Sequence, residues 1–351
     1  MKKLPTAIDL FSGCGGLTQG LKQAGFKVLA AVEVEDLAAE TYKANHSDVR
    51  LIHLDIRKVQ AGPLRKSLKL REGELDLLAG CPPCQGFSSL RTRNGAGQKR
   101  DPRNKLIDEI RRFATAFLPK AVMMENVPGL ADHWSFKQLC RDLRRLGYHV
   151  HWEIKDARKY GVPQRRKRLI LVAGRHIAIP LAKESASVKT VRDAIGNLPP
   201  PGRSRDALQN RTEQRSAKVL ELIKAIPKNG GSRTDLPDSM QLPCHRRVDG
   251  FNDVYGRMAW DEPSPTITGG CFNPSKGRFL HPDQNRAITL REAALLQTFP
   301  KKYRFPADAC KESVALMIGN ALPPAFIKRH AGQIAKSLEA AGSTRNVKGR
   351  T

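Results

Sequence analysis

Short apolar runs alternate with amphipathic stretches over residues 6–180, and this alternation restricts the fold more than any other feature of the chain. The apolar runs have the length of strands, and the stretches between them carry apolar residues at helical spacing. Alternating strands and helices are typical of βαβ units, so the sequence predicts an α/β domain on a doubly wound, mostly parallel sheet. The predicted strands are 6–11, 28–33, 75–79, 121–125, 149–154 and 168–173, and the predicted helices are 17–24, 36–44, 106–117 and 136–146.

The alternation of strands and helices is lost after about residue 180, where proline, glycine and basic residues become frequent. A second, smaller and irregular domain with exposed loops is therefore predicted, followed by a return to helical patterns near the C-terminus. The predicted bounds are 1–180 and 312–340 for the first domain, 181–311 for the second and 341–351 for a flexible tail, with helices at 289–297 and from Pro324 to about Leu338.

The chain is strongly basic, with 61 lysines and arginines against 34 aspartates and glutamates and a formal net charge of +27. A surplus of this size favours binding to a polyanion, for which nucleic acid is the obvious candidate. A basic surface that serves solubility or ribosome association is the alternative. The content of 40% hydrophobic and 27% charged residues is typical of a globular protein rather than a disordered one.

The seven cysteines are scattered along the chain, and no signal-peptide pattern stands at the N-terminus. No apolar segment approaches the length that a membrane span requires. We therefore expect a cytoplasmic protein in a reducing compartment, with its cysteines present as thiols.

A glycine-rich turn predicts a nucleoside site. The first predicted strand ends in Asp9–Phe11, and Gly13–Gly16 then form a tight turn that lets the backbone approach a ligand closely. Glu33 closes the next predicted strand, where its carboxylate can accept hydrogen bonds from two ribose hydroxyls. A dinucleotide site is the rival interpretation, but its glycine fingerprint is incomplete because Thr18 stands at the third glycine position.

Two further residues could complete a nucleoside site. Phe11 leaves its strand where a flat adenine or a sulfonium could pack on the ring, although a core aromatic is equally consistent with the spacing. Asp55, followed by Ile56, ends another candidate strand and could reach an adenine amino group. A plain turn carboxylate is the alternative for Asp55.

Cys84 is placed to be a nucleophile, because it follows the predicted strand 75–79 and is preceded by Pro82 and Pro83. A redox pair with Cys81 is one alternative, but the segment that follows is rich in glycine and arginine rather than helical. A zinc site is another, although no second cysteine pair lies nearby. The third interpretation is covalent catalysis, in which cationic neighbours raise the thiolate fraction.

Glu125 ends the apolar strand 121–124, so a role as general acid or hydrogen-bonding group is predicted, with capping of the following turn as the alternative. Arg166 and Arg168 lie in the basic run 164–168 before another strand. Alternation along the chain would point both arginines the same way, toward the site or toward phosphate, whereas a solvated basic run is the simpler interpretation.

In combination and in order, these segments resemble the cytosine-5 DNA methyltransferase family over residues 9 to about 325. The departures are Cys81, where glycine is frequent, and Leu322, where valine is frequent. The matching segments are Asp9–Gly16, Pro83–Gln85, Glu125–Val127, Gln164–Arg168, Tyr255–Met258, Pro265–Thr268, Arg291–Pro300 and Gly319–Pro323.

The resemblance implies the S-adenosylmethionine-dependent methyltransferase fold, with residues 181–311 as a target-recognition domain. It implies that a cytosine leaves the DNA duplex and that Cys84 adds to C6 of its ring. Glu125 would hydrogen-bond the N3 edge, and Arg166 with Arg168 would fix the base O2. C5 would then take the methyl group, and no metal is expected.

The resemblance also assigns a pocket for S-adenosylmethionine. Double-stranded DNA is the implied substrate of a monomeric, DNA-associated bacterial enzyme, and a restriction endonuclease of the same sequence specificity is an implied partner. An RNA methyltransferase and a non-catalytic DNA-binding regulator are the competing functions. The residues assigned to the pocket are Phe11, Ser12, Gly13, Gly15, Gly16, Glu33, Asp55, Ile56, Pro83 and Asn320.

Overall fold

The computed structural model describes residues 4–83, 105–241 and 253–348. These residues fall into two compact units. The first lies within Met1–Asp156, Lys167–Glu184 and Pro324–Thr351, and the second lies within Ala157–Arg166 and Ser185–Pro323.

The first unit is built on a seven-stranded sheet with the order β3-β2-β1-β4-β5-β7-β6. The first five strands of the chain are parallel, whereas β7 runs antiparallel to both β5 and β6. The predicted doubly wound, mostly parallel sheet is therefore confirmed. The strands are β1 Thr6–Leu10, β2 Lys27–Glu33, β3 Arg50–His53, β4 Leu77–Gly80, β5 Ala121–Asn126, β6 Tyr148–Asp156 and β7 Lys167–Arg175.

Helices cover the sheet of the first unit and make up most of the regular structure of the second. Those of the first unit are α1 Gly16–Gln23, α2 Asp36–Asn45, α3 Ala61–Ser67, α4 Ile107–Phe117, α5 Trp134–Arg145 and α11 Pro324–Lys348. Those of the second are α6 Val191–Ile195, α7 Ala207–Asn210, α8 Ala217–Ala225, α9 Leu290–Leu296 and α10 Lys311–Asn320. The 3-10 turns are Ile56–Lys58, Pro128–Leu130, Ala157–Tyr160, Arg233–Asp235, Asp238–Met240 and Pro274–Lys276.

Burial in the core of the first unit explains why its strands could be predicted from the sequence. Strands of a parallel sheet are buried on both faces and read as continuous apolar runs, and every residue of β5 is buried. One face of the sheet packs against helices α3, α4 and α5. On the other side of the unit, a Cβ atom added to Gly20 of α1 would lie 2.5 Å from Cβ of Ile327, so α1 and α11 touch through a glycine.

The second unit contains the segments 157–166 and 312–323, which the sequence assigned to the first domain. The first segment pairs with the chain near Ser264, because the backbone N–H of Arg165 donates to the Ser264 carbonyl at 2.8 Å. The segment 312–323 is joined to the second unit by the Gln297 side chain, because its Nε2 donates to the Ile318 carbonyl at 2.7 Å.

Most helix ends lie within two residues of the prediction, and the C-terminal helix differs most. Thr289 and Glu292 form a reciprocal capping box at the start of α9. Helix α11, however, continues to Lys348 rather than ending near Leu338, so residues 341–348 extend this helix instead of forming a tail. No helix in the described ranges is long and apolar enough to cross a membrane.

Candidate active site

Polar side chains from four neighbouring strands lie on one face of the first unit's sheet. Asp9 lies in β1, Cys81 directly follows β4, Glu125 lies in β5 and Arg168 lies in β7. The register of these strands and the alternation of side chains put all four on the face opposite to the main apolar cluster. Because β7 runs the other way, its beginning meets the carboxyl ends of the other three, where ligands of such sheets bind.

Glu125 and Arg168 form a largely buried ion pair. Arginine Nε lies 2.9 Å from Oε1 of the glutamate, and the two side chains are 15% and 8% exposed respectively. Arg168 also donates to the Lys167 carbonyl at 2.7 Å, which fixes the guanidinium at the strand end. A charge-assisted hydrogen bond of this length orients the carboxylate strongly. The sequence predicted site roles for Glu125 and Arg168 separately, and the structure brings the two side chains together.

Asn126 connects the end of β5 to the segment that precedes the predicted nucleophile. Its Nδ2 donates to the Pro82 carbonyl at 2.9 Å, and its Oδ1 accepts from the Val127 backbone N–H at 2.8 Å. Pro83, which is half-buried, is the last described residue before Cys84, and Cys84 itself lies outside the described residues. No role was predicted for Asn126, although an amide directly after Glu125 at the end of an apolar run was an available signal.

Cys81 is the described member of the Cys-x-x-Cys pair. Burial, with smaller contributions from the charges of Glu125 and Asp9, raises the pKa of the Cys81 thiol well above its ordinary value. The thiol is therefore protonated at neutral pH. A neutral thiol is a poor nucleophile, so this cysteine is not suited to the attack predicted for its neighbour.

The glycine-rich turn leaves β1 through positive φ angles at Phe11 (61°), Gly13 (54°) and Gly15 (96°). A Cβ atom added to Gly13 would have no heavy atom within 4 Å, so the backbone borders open space there. Ser12 is tied to β2, because its backbone N–H donates to the Val32 carbonyl at 3.0 Å. Gly16 then begins α1. The backbone of this turn is therefore open to a ligand at close range, as the sequence predicted.

Glu33 holds the same turn from β2. Its Oε2 accepts from the Gly13 backbone N–H at 2.7 Å, and its Oε1 accepts from the N–H groups of Val34 and Glu35, each at 2.9 Å. The carboxylate therefore fixes the turn as well as standing where ribose hydroxyls were predicted to bind. A carboxylate oxygen can accept more than one hydrogen bond, so the two roles are compatible.

Asp9, Thr18 and Tyr42 form a buried hydrogen-bond chain beneath the turn. The Thr18 hydroxyl donates to Oδ2 of Asp9 at 2.6 Å, and the Tyr42 hydroxyl lies 2.8 Å from the Thr18 oxygen. The other oxygen of Asp9, Oδ1, is buried without a hydrogen-bond partner among the residues that the structure describes. Burial raises the pKa of Asp9 to about 7, against the opposing effect of the Thr18 hydrogen bond.

Thr18→Val is expected to lower the free energy of unfolding by about 1–3 kcal/mol, because it leaves two buried polar groups without their shared partner. Urea denaturation of the purified protein measures the change. Thr115→Val is the matched control, since the Thr115 hydroxyl lies on the exposed face of α4 and donates only to the Arg111 carbonyl within its own helix. Equal effects of the two substitutions would contradict a stabilising role of the buried chain.

Asp55 and Ile56 occupy the turn after β3. Asp55 accepts from the Arg57 backbone N–H at 2.9 Å and pairs with the Arg57 guanidinium, which lowers the pKa of the carboxyl to about 2. Ile56 is buried in the core and Phe11 is half-buried against it. The structure thus gives Asp55 the turn role that the sequence also allowed, and the contact of these residues with an adenine stays a prediction.

Arg166 and Asn320 belong to the second unit, whereas Arg168 belongs to the first. The Arg166 guanidinium donates to the carbonyls of Ile267 at 3.0 Å and Gly319 at 3.1 Å, and the side chain is 4% exposed. Asn320 is exposed at the end of α10. The two arginines therefore have different partners, and the contacts predicted for Arg166 with the base and for Asn320 with the cofactor stay predictions.

Comparisons with known proteins agree with the fold and the motif order. The model of the family described as C-5 cytosine-specific DNA methylase matches residues 6–336. Type II methylase M.HgiDII of Herpetosiphon aurantiacus is 36% identical over an alignment of 346 residues, with 95% of each chain covered. Type II methyltransferase M1.HphI of Haemophilus parahaemolyticus is 35% identical over 339 residues, covering 94% of this chain and 87% of that one.

Solved structures share the architecture at lower identity. A chain described as a DNA modification methyltransferase encoded within an E. coli prophage aligns with a TM-score of 0.69 and 24% identity, covering 95% of this chain and 99% of that one. S. pombe Dnmt2 methyltransferase aligns with a TM-score of 0.65 and 19% identity, covering 97% and 99%. At this level of identity the likeness shows the fold alone.

The chain belongs to the C-5 cytosine-specific DNA methylase family, as the order of its motifs predicted. Its activity is that of a DNA (cytosine-5-)-methyltransferase.

Proposed function

We propose that this enzyme transfers a methyl group from S-adenosylmethionine to C5 of a cytosine that has left a specific sequence in duplex DNA. The observation that carries the proposal is the buried Glu125–Arg168 pair, joined through Asn126 to the Pro82–Pro83 segment that leads into Cys84. This arrangement supports a fixed carboxylate beside a nucleophile, which is what addition to a pyrimidine ring requires.

The residues of the glycine-rich turn fit a cationic nucleoside. Oδ1 of buried Asp9, which has no hydrogen-bond partner within the described ranges, offers an acceptor to an ammonium or another donor. Glu33 stands at the end of the adjacent strand. The open space over Gly13 admits a ligand close to the backbone. When bound, S-adenosylmethionine supplies an electrophilic methyl group on a sulfonium centre. Phe11, Asp55 and Ile56 are proposed to complete its pocket.

Cys84 is proposed to form the covalent bond. Its thiolate adds to C6 of the extruded cytosine, which makes C5 nucleophilic toward the methyl group. Once C5 carries the methyl group, its proton passes to solvent and the electron pair of the C5–H bond re-forms the C5–C6 double bond. The Cys84 Sγ–C6 bond breaks at the same time, and the thiolate is regenerated. Extrusion of the base costs a few kcal/mol of stacking and pairing, which contacts with the enzyme must offset.

Glu125 is proposed to hydrogen-bond the N3 and amino edge of the base, where negative charge develops as the thiolate adds. Arg168 holds this carboxylate in place through the 2.9 Å contact. It is also proposed to bind the base O2. Preorganised groups of this kind, placed out of water, act without reorganisation during the reaction.

The second unit is proposed to read the target sequence. It consists of short helices and long loops, and the structure within it is held by side-chain to backbone hydrogen bonds such as those of buried Arg257 with the Ile223 and His281 carbonyls. Loops on a fixed scaffold suit base readout in the grooves of DNA. The two Type II relatives, similar along nearly their whole length, support membership of a restriction–modification system with a partner endonuclease.

Methyl transfer from radiolabelled S-adenosylmethionine tests the proposal when duplex DNA and RNA are offered separately. We expect label in DNA, and bisulfite sequencing of host DNA with and without the gene should locate it at C5 of one cytosine within a fixed sequence. Label in RNA alone would assign the enzyme to a different substrate. Binding to DNA without any transfer would make the chain a non-catalytic regulator.

A further inference from the structure

Helix α5 carries an exposed face with a pronounced basic character. The exposed basic and aromatic residues of this helix recur at spacings of three and four residues, so they lie along one side of it. The opposite side is apolar and packs into the core through residues such as Phe136 and Leu143. The exposed side, here called the α5 face, consists of Trp134, Lys137, Arg141, Arg144 and Arg145.

The charge on the α5 face is little compensated by acids of the described helices beside it. Asp142 is 17% exposed and already pairs with Arg145 at 3.3 Å and with Arg111 of α4 at 3.7 Å. The Arg111 side chain is 47% exposed and adds a cation next to the face. Asp132, which is exposed, precedes the helix. Cations therefore outnumber carboxylates clearly on this surface.

Trp134 separates the α5 face from an ordinary solvated helix surface. Its side chain is 63% exposed at the beginning of the helix, and its ring lies 5.5 Å from that of His133. An aromatic ring beside cations is a frequent feature of nucleic-acid contacts. The combination points to a polyanion with apolar sugar or base surface.

We propose that the α5 face is an accessory site for the sugar–phosphate backbone of duplex DNA that flanks the target cytosine. The proposal rests on the function proposed above. Lys137 and Arg144 are about 10 Å apart along the helix axis at 1.5 Å per residue. One DNA strand carries a phosphate about every 3.4 Å of duplex axis, so the stretch matches roughly three phosphates.

The direction of α5 explains why flanking DNA is the partner. The helix follows β5 after one short turn, so Trp134 stands near the strand ends that carry Glu125. From there the helix returns along the sheet face that carries the main apolar cluster, opposite to the face of Glu125, and the basic residues lead away from the site. DNA held at the site would meet the α5 face only beyond the target. Contacts there would hold the enzyme on DNA without reading sequence.

The test variant neutralises the face as Lys137→Gln, Arg141→Gln and Arg144→Gln together. We expect its affinity for a duplex of about 60 base pairs to fall at least about tenfold at ~0.15 M salt, and the slope of log K against log salt to lessen by about 2.7. The control, Lys27→Gln with Lys43→Gln and Lys66→Gln, removes the same charge from other exposed positions of the first unit. An equal loss in the control would overturn the proposal.

Duplex length and competitor RNA sharpen the assignment. A duplex of about 12 base pairs, little more than one helical turn, should bind the test variant as well as it binds the unaltered protein. Loss on this short duplex as well would contradict a role for flanking DNA. Single-stranded RNA that competes as strongly as long duplex would contradict the choice of duplex DNA.

Acetylation of lysines in the unaltered protein gives a measurement that does not depend on how the variant folds. Long duplex should protect Lys137 from acetylation while Lys43 remains reactive, and equal reactivity of Lys137 with and without DNA would overturn the proposal. The result is separable from the function proposed above. If Lys137 were protected but no methyl group were transferred, the proposed reaction would be refuted while the proposal for the α5 face would stand.

Discussion

Cys84→Ser is expected to abolish methyl transfer while binding of S-adenosylmethionine stays close to that of the unaltered enzyme. A serine hydroxyl is almost entirely protonated at neutral pH, so the attack on C6 loses its nucleophile. Losses of about 10⁴-fold or more are typical when a covalent nucleophile is removed. Single-turnover transfer of labelled methyl groups, together with calorimetry of cofactor binding, measures both expectations.

Cys81→Ser is the matched control for this substitution. Its thiol carries a raised pKa, because of burial and of the nearby Glu125 and Asp9 charges, and so is held neutral. We expect the Cys81 variant to keep most of its single-turnover rate. If Cys81→Ser were as inactive as Cys84→Ser, the two cysteines would act as a pair, and the redox interpretation of the Cys-x-x-Cys segment would regain support.

Trapping gives direct evidence for the covalent bond. Duplex DNA with 5-fluorocytosine at the target cannot lose the C5 substituent as a proton, so the Sγ–C6 bond should persist after methylation. We expect a denaturation-resistant adduct with the unaltered enzyme and with the Cys81 variant, and none with Cys84→Ser. An unaltered enzyme that methylates normal DNA but forms no adduct on this duplex would refute the proposed nucleophile.

The sheet was predictable because its central strands are buried on both faces. Strands such as β5 read as apolar runs whose ends are marked by polar residues, and the site residue Glu125 lies at such an end. Edge strand β3 is half-exposed, with Arg50 and His53 at its ends, and gives only a weak pattern. Helix α3 was missed because Gly62 and Pro63 stand in its first turn, where a proline is tolerated but reads as a loop.

The partners of the site residues were beyond sequence reasoning. Asn126 donates to the Pro82 carbonyl, and Arg166 donates to the carbonyls of Ile267 and Gly319, all of them distant in the chain. Every residue has a backbone carbonyl, so the pattern of side chains in a sequence does not indicate which carbonyl will accept a hydrogen bond. The motif order located the chemistry, whereas the hydrogen bonds that fix each group came only from the fold.

Glu125→Gln is expected to slow methyl transfer about 10²–10³-fold, the range seen when one preorganised group is removed from a developing charge. Glutamine keeps the shape of the side chain but not its charge, so both the hydrogen bond to N3 and the pair with Arg168 are weakened. The single-turnover rate at saturating DNA measures the chemical step. Affinity for DNA, measured separately, should change much less.

The same substitution should also lower stability, because Arg168 is left largely buried without its anion. Breaking a buried ion pair from one side typically costs about 3 kcal/mol or more. Glu153→Gln is the control, since Glu153 pairs with Lys155 on edge strand β6 at 45% exposure. We expect little change in rate or stability there, because exposed pairs contribute about 0–1 kcal/mol.

A double-mutant cycle with Arg168→Lys separates the two roles of Glu125. If Arg168 acts by holding the carboxylate, the loss of rate in the double variant will be smaller than the product of the two single losses, because either change alone releases the same group. If Arg168 binds the base independently, the two losses will multiply. A single-turnover rate in Glu125→Gln that equals the unaltered enzyme's would remove Glu125 from the chemical step altogether.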